Sequence, residues 1–125
     1  MESVSEAFGF TSFRKLPVSY IVDYAALRGR DVVGFVEVKK RSNRMNKYPD
    51  IFVSLHKVNA SMALKQVGMK TIFAIQWEDC LGWILLDDPD QISFSGRTDR
   101  NDTADLEPMC HFNISRVTII KRTTK

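Results

Sequence analysis

An α/β domain built on a central mixed sheet is what this sequence predicts, and three observations predict it. Two apolar, β-branched runs flank Arg28-Gly29-Arg30, the composition of an antiparallel hairpin. A helical stripe follows over residues 51–67, and a continuous apolar run over residues 71–77 comes after it. A helix between two strands is the crossover that parallel neighbours in one sheet require, so parallel and antiparallel pairings meet in the same sheet.

Composition bounds the reading. A chain of 125 residues, 44% hydrophobic and 26% charged, suffices for one domain over residues 1–125 with a single core. Its longest apolar runs are broken by charges well short of the roughly 20 residues that span a bilayer, and no basic-then-apolar signal opens the chain. The expectation is a soluble, intracellular protein, cytoplasmic or nucleoid-associated, with no membrane partner. Two cysteines, Cys80 and Cys110, lack CxxC spacing and paired histidines, which argues against structural zinc and against a disulfide framework. Net charge is only +3, so the cations matter through their location.

In order along the chain, Ser3 or Ser5 caps a short helix containing Glu6, Ala7 and Phe8, and Phe8, Phe10 and Phe13 pack on the sheet. Strands follow over residues 18–27 and 32–41. Side chains alternate along a strand, so Val33, Phe35, Glu37 and Lys39 share one face with Val38 behind them. If the hairpin sets Asp23 opposite position 35 or 37, its carboxylate joins that face; a slip of one residue sends it to the other.

Two carboxylates and an amine on a rigid sheet suit magnesium-assisted phosphodiester cleavage. Mg²⁺ takes one or two carboxylates and fills its remaining positions with water and phosphate oxygens. It lowers the pKa of a bound water and offsets transition-state charge, while the amine orients that water or steadies the phosphate. The carbonyl of Val38 is a further oxygen ligand.

Asp23 followed after thirteen residues by Glu37-x-Lys39 on a strand resembles the core of the PD-(D/E)xK nuclease superfamily, which includes restriction enzymes, Holliday-junction resolvases and phage nucleases. That resemblance spans about residues 18–86. It implies a restriction endonuclease-like fold, a central mixed sheet flanked by helices, in which Asp23 and Glu37 bind Mg²⁺ or Mn²⁺ and Lys39 positions the attacking water. It also implies DNA as substrate, and an extra acid on a helix ahead of the sheet, a part for Glu2 or Glu6. Two departures stand out: that first helix is short here, and a strand ahead of Asp23 is hard to find.

The segment from Lys39 to Lys47 holds five cations in nine residues and almost no apolar side chain. Lys40, Arg41, Arg44 and Lys47 are candidates for neutralising phosphates without reading bases, and Lys57 joins them from the helix. Charge alone does not separate DNA from RNA, and nothing in this segment suggests a sequence-reading code; a structure-specific activity is one option, and the preferred DNA structure or sequence stays open. Pro49-Asp50 follows the ExK tripeptide rather than preceding it; Asp50 reads as the N-cap of the helix and Gly68 as its stop. Ile51, Leu55, Val58 and Met62 face the sheet, with Asn59 and Gln66 on the same stripe.

Residues 71–77 form a buried strand, and the turn Glu78-Asp79-Cys80 joins it to another over residues 81–86, with Trp77 and Trp83 as core or interface aromatics. A polar excursion over residues 87–108 includes a short strand near residues 92–94. Residues 111–120 return as an edge strand before a basic tail. One such site cuts one strand, so double-strand cleavage implies a homodimer. Two other classes stay open: a nucleic-acid-binding module without cleavage, which leaves Glu37 dispensable, and a protein-assembly module that uses the aromatics.

Overall fold

In the computed structural model, which describes residues 2–17, 21–96 and 106–123, the chain runs α1 (Glu2–Phe8), β1 (Ser12–Lys15), β2 (Tyr24–Arg28), β3 (Asp31–Lys40), β4 (Asp50–Ser54) and α2 (Leu55–Gln66). It continues through β5 (Lys70–Gln76), β6 (Cys80–Leu85), β7 (Gln91–Gly96), β8 (Leu106–Asn113) and β9 (Thr118–Arg122). Six strands form one sheet in the order β1-β2-β3-β5-β6-β9, and three form a second in the order β4-β8-β7. The expected mixed pairing is present: β3 is antiparallel to β2 and parallel to β5, with α2 in the crossover.

Gly29, at φ +66°, takes the first position of the two-residue loop that closes Arg28 onto Asp31, where a side chain would be strained. The hairpin pairs Tyr24 with Val36 and Ala25 with Phe35. Both faces of the large sheet are covered. On one, Val36, Ile72 and Ala74 pack with Ala26, with Val4 of α1, and with Phe8, Phe10, Phe13 and Trp83. On the other, Phe73, Ile75, Trp77 and Ile84 pack against Val58 of α2 and against Ile51, Val53, Cys110 and Phe112 of the second sheet. Glu37 and Lys39 are in register with Phe73 and Ile75, so they belong to this second face.

The structure corrects several expectations. The strand expected over residues 18–27 begins only at Tyr24; Ile21 to Asp23 form a bend, and residues 18–20 lie outside the described part. The missing strand ahead of Asp23 exists as β1, which pairs Phe13 with Ala26. The helix does not start at Ile51. Residues 50–54 are β4, with Ile51 and Val53 inward and Phe52 outward, so Asp50 is a strand residue. Ser54 is the cap, its hydroxyl accepting from the Lys57 N–H at 3.4 Å. On α2 the buried residues are Val58 and Ser61, while Met62, Asn59 and Gln66 are exposed. Residues 111–120 are not one edge strand: β8 sits at the centre of the second sheet, a tight turn over Ile114–Arg116 follows, and β9 edges the first. The strand near residues 92–94 is present within β7.

Candidate active site

Where β2 ends, β3 continues alone on that side, and this step in the sheet builds the site. Extending the hairpin register by one residue sets Asp23 across from Glu37. The Asp23 N–H donates to Glu37 Oε2 at 3.1 Å, and Asp23 Oδ2 accepts from the Val38 N–H at 3.0 Å. A strand residue directs its N–H and C=O to the same side of its ladder, so the Val38 carbonyl also points toward Asp23. Two carboxylates and one backbone oxygen therefore converge on the step.

Glu37 is buried, only 3% exposed, and a buried carboxylate is costly unless it is paired and hydrogen-bonded. Its Oε1 is paired with Lys57 Nζ, which α2 brings over β3. Asp23 is half-buried, and Lys15 Nζ of β1 stands 3.6 Å from its Oδ1. Each carboxylate thus holds one oxygen on a backbone N–H and turns the other toward an amine. A cleft of about 370 Å³ opens beside Asp23, lined also by Lys15, His56 and Lys57 among others, with Glu37 buried behind Lys57.

This donor set fits a hard divalent cation that keeps much of its water: two carboxylates, an adjacent carbonyl and an open cleft. Among the described residues no three His, Cys, Asp or Glu side chains gather as they would for a closed protein cage. Lys57 and Lys15 occupy the outward oxygens with the same sign of charge that a metal would supply.

Lys39 projects from the face that carries Glu37, one pleat further along β3. It is exposed, and among the described residues it enters no ion pair. Lys40 is exposed next to it, and Arg41 continues the strand by donating its N–H to the Gln76 carbonyl at 2.9 Å. The loop beyond is tethered rather than free. Asp79 Oδ1 accepts from the Met45 N–H at 2.9 Å, its Oδ2 lies 3.7 Å from Arg44, and the Glu78 N–H donates to the Asn43 carbonyl. The Met45 N–H, with help from Arg44 and Arg122, holds the Asp79 carboxyl below its usual range. Lys47 is exposed and lies over the Tyr48 ring.

Of the residues singled out in the sequence, Asp23, Glu37 and Val38 come together, Lys39 stands beside them, and Lys40, Arg41, Arg44 and Lys47 line the loop that leaves them. Lys57 departs from its expected phosphate-binding place by sitting on Glu37. Glu2 and Glu6 stay apart: both are exposed on α1, which packs on the opposite face of the sheet. Lys15 went unnoticed because its strand did. A buried glutamate demands a cation, and Lys57 on the crossover helix was the available one, which is the signal that would have paired them.

The sequence matches the family described as "Phage putative PDDEXK endonuclease" over residues 1–120. Among solved structures, it is similar to Hjc, a Holliday junction resolvase from the archaeal hyperthermophile Archaeoglobus fulgidus. The identity is 15%, over 88% of this chain and 75% of that one, with a TM-score of 0.49. No curated protein matches.

Proposed function

Because this chain belongs to the phage PDDEXK endonuclease family, we propose that it is a metal-dependent nuclease that hydrolyses DNA phosphodiester bonds at the step between β2 and β3. The observation that carries this is the convergence of the Asp23 and Glu37 carboxylates, each braced by a backbone N–H, beside an exposed lysine.

Asp23, Glu37 and the Val38 carbonyl would hold Mg²⁺ or Mn²⁺. When bound, the ion supplies Lewis acidity toward a water and a phosphate oxygen. Glu37 and Asp23 fix where phosphate can approach, because their inner oxygens are immobilised by the backbone. Lys39 hydrogen-bonds the attacking water or a non-bridging oxygen, and its flexible stem brings a full positive charge to charge that builds in the transition state. Lys40, Arg41, Arg44 and Lys47 neutralise flanking phosphates, so the strand held by the loop passes over Lys39. Backbone contacts of this kind carry no base code, which favours recognition of DNA shape over sequence. A homodimer is the form in which two such sites cut both strands.

The Lys57–Glu37 pair favours a second reading, in which that lysine permanently neutralises the site and the protein binds DNA without cutting it. Supercoiled plasmid and branched DNA incubated with Mg²⁺ separate the two when Glu37→Ala and Lys39→Ala are run beside the wild type. Cleavage by the wild type that is lost in both variants supports the nuclease. Binding with no cleavage by any of the three supports the second reading.

A further inference from the structure

A second cavity, of about 290 Å³, opens where β3 leaves the sheet. Its inner wall is apolar, with Ile75 and Trp77 of the large sheet and Ile51 of the small one, and its lining includes Arg41, Asn43 and Tyr48. Ile75 is the register partner of Lys39, and Arg41 follows one residue past the end of β3, its N–H donating to the Gln76 carbonyl. At about 3.3 Å per strand residue, Glu37 and Arg41 are roughly 13 Å apart along one line. The cavity therefore continues the active site in the direction that the basic loop takes.

Three features select an occupant. Tyr48 keeps 55% of its surface exposed, and Lys47 Nζ lies over one face of its ring at 5.4 Å from the ring centre, so an aromatic side chain with a cation on one face stands at the rim of the cavity. Five cations lie from Lys39 to Lys47, of which Arg41 lines the cavity together with Asp50, and Lys47 stands at its rim over Tyr48. Asn43 lines the cavity with a side-chain amide whose Nδ2 donates to the Arg44 carbonyl at 2.8 Å, which leaves its Oδ1 as an acceptor for the edge of a base. An aromatic platform inside a cationic track is the arrangement that binds unpaired bases, whereas an apolar peptide segment has no use for the cations.

We infer that this cavity receives one unstacked nucleobase of the strand whose phosphate lies at the Asp23 and Glu37 site, with the ring against Tyr48 and its 5′ or 3′ phosphate at Arg41. Paired bases cannot enter, so the pocket makes the protein select DNA that offers an unpaired nucleotide next to the cut: forks, flaps, gaps or junctions. The inference rests on the nuclease reading above and names its substrate class.

The test compares a fluorescein-labelled forked duplex, its fully paired counterpart, and a forked duplex with an abasic nucleotide at the branch. Binding is measured by anisotropy in Ca²⁺, and cleavage of the same DNAs in Mg²⁺ is scored in parallel. The wild type should prefer the fork to the paired duplex. Tyr48→Ala should weaken binding to the fork by roughly ten- to a hundredfold, the worth of one stacked base, and erase that preference. Tyr48→Phe should keep it, and the abasic fork should bind wild type and Tyr48→Ala alike. Equal binding of the intact fork by wild type and Tyr48→Ala overturns the pocket, including the case in which a protein segment is its true occupant. Mg²⁺ cleavage alongside that result leaves the nuclease standing. The expected Tyr48 dependence with no cleavage of any DNA sinks the nuclease and keeps the base pocket.

Discussion

The backbone of Asp23 holds the side chain of Glu37, through an N–H to Oε2 bond of 3.1 Å, while the Asp23 carboxylate accepts from the residue after Glu37 at 3.0 Å. Each acid is thereby aimed by the segment that carries the other, and the site depends on β2 ending one residue short of Glu37. The side chains can thus be tested separately from the bracing. Asp23→Asn keeps an oxygen for the Val38 N–H, and Glu37→Gln keeps one for the Asp23 N–H, but each removes a charge from the proposed metal position. Both should stay folded and lose about 10²- to 10³-fold in Mg²⁺-dependent plasmid nicking, the cost typical of deleting one electrostatic contact to the transition state. Unchanged nicking in either variant would remove that residue from the site.

Lys39 needs a different expectation because it braces nothing. Lys39→Ala should leave thermal stability within about 0.5 kcal/mol, as exposed substitutions do, and lower the cleavage rate by about 10²- to 10⁴-fold if it acts on the attacking water. Lys39→Arg should restore little, since a planar guanidinium does not replace a compact ammonium near a reacting water. Single-turnover cleavage checks this, because it separates chemistry from DNA binding. Full rescue by arginine would mean that only phosphate affinity was lost.

Lys57 should respond to metal. Replacing it by Met leaves the buried Glu37 carboxylate without its cation, which should cost roughly 1–3 kcal/mol when EDTA keeps the site free of metal. Mg²⁺ offers charge of the same sign, so it should raise the melting temperature of Lys57→Met more than that of the wild type, where the lysine must first leave. Thermal unfolding in EDTA and in Mg²⁺ provides the comparison. Equal metal shifts in both proteins would mean that Lys57 and the ion do not compete for Glu37.

How much of this was legible in the sequence depends on which periods were clean. Glu37-Val38-Lys39 lies on one strand, so alternation put both groups on one face, but the two-residue loop at Gly29 alone would set Asp23 across from Val36; the register shift between Ala26 and Leu27 moves it opposite Glu37, and no local pattern announced that bulge. Residues 50–54 were obscured by coincidence. Ile51, Leu55 and Val58 are spaced like one helical stripe, yet the first belongs to a strand with alternating burial and the other two to a helix capped by Ser54. Two elements in direct succession blended their periods. The second sheet was invisible for a related reason: β4 pairs with β8 across more than fifty residues, and no local pattern encodes such a partner. The Lys57–Glu37 pair depends on where α2 lands, which is likewise a tertiary outcome.

The basic loop predicts a salt law. A cation that neutralises one phosphate releases counterions, and each such contact contributes about −0.9 to the slope of log K against log salt concentration on duplex DNA. Lys47→Ala should make the slope shallower by about that amount and weaken binding equally on unrelated sequences. Arg44→Ala should do less, because Arg44 is partly engaged by Asp79 at 3.7 Å. Anisotropy titrations across a salt series measure both slopes. A Lys47 variant with an unaltered slope would place its charge away from the DNA path.

Asp79 links the loop to pH. Its carboxyl takes the Met45 N–H and faces Arg44, and these hold its pKa in the folded state below the ordinary 3.8. Folding therefore favours the ionised form. The stabilisation is complete above the unfolded pKa and is lost as pH falls through the lowered folded value. Asp79→Asn should consequently melt at a lower temperature than the wild type at neutral pH, and the gap should close as the solution is acidified past 3.8. Because Met45 sits mid-loop between Arg44 and Lys47, the same variant should loosen the phosphate track and weaken DNA binding at neutral pH, with Asp23, Glu37 and Lys39 untouched. Melting curves across the acid range, with DNA titrations at neutral pH, check both halves. A gap that persists below the folded pKa would trace the effect to amide packing rather than to the charge.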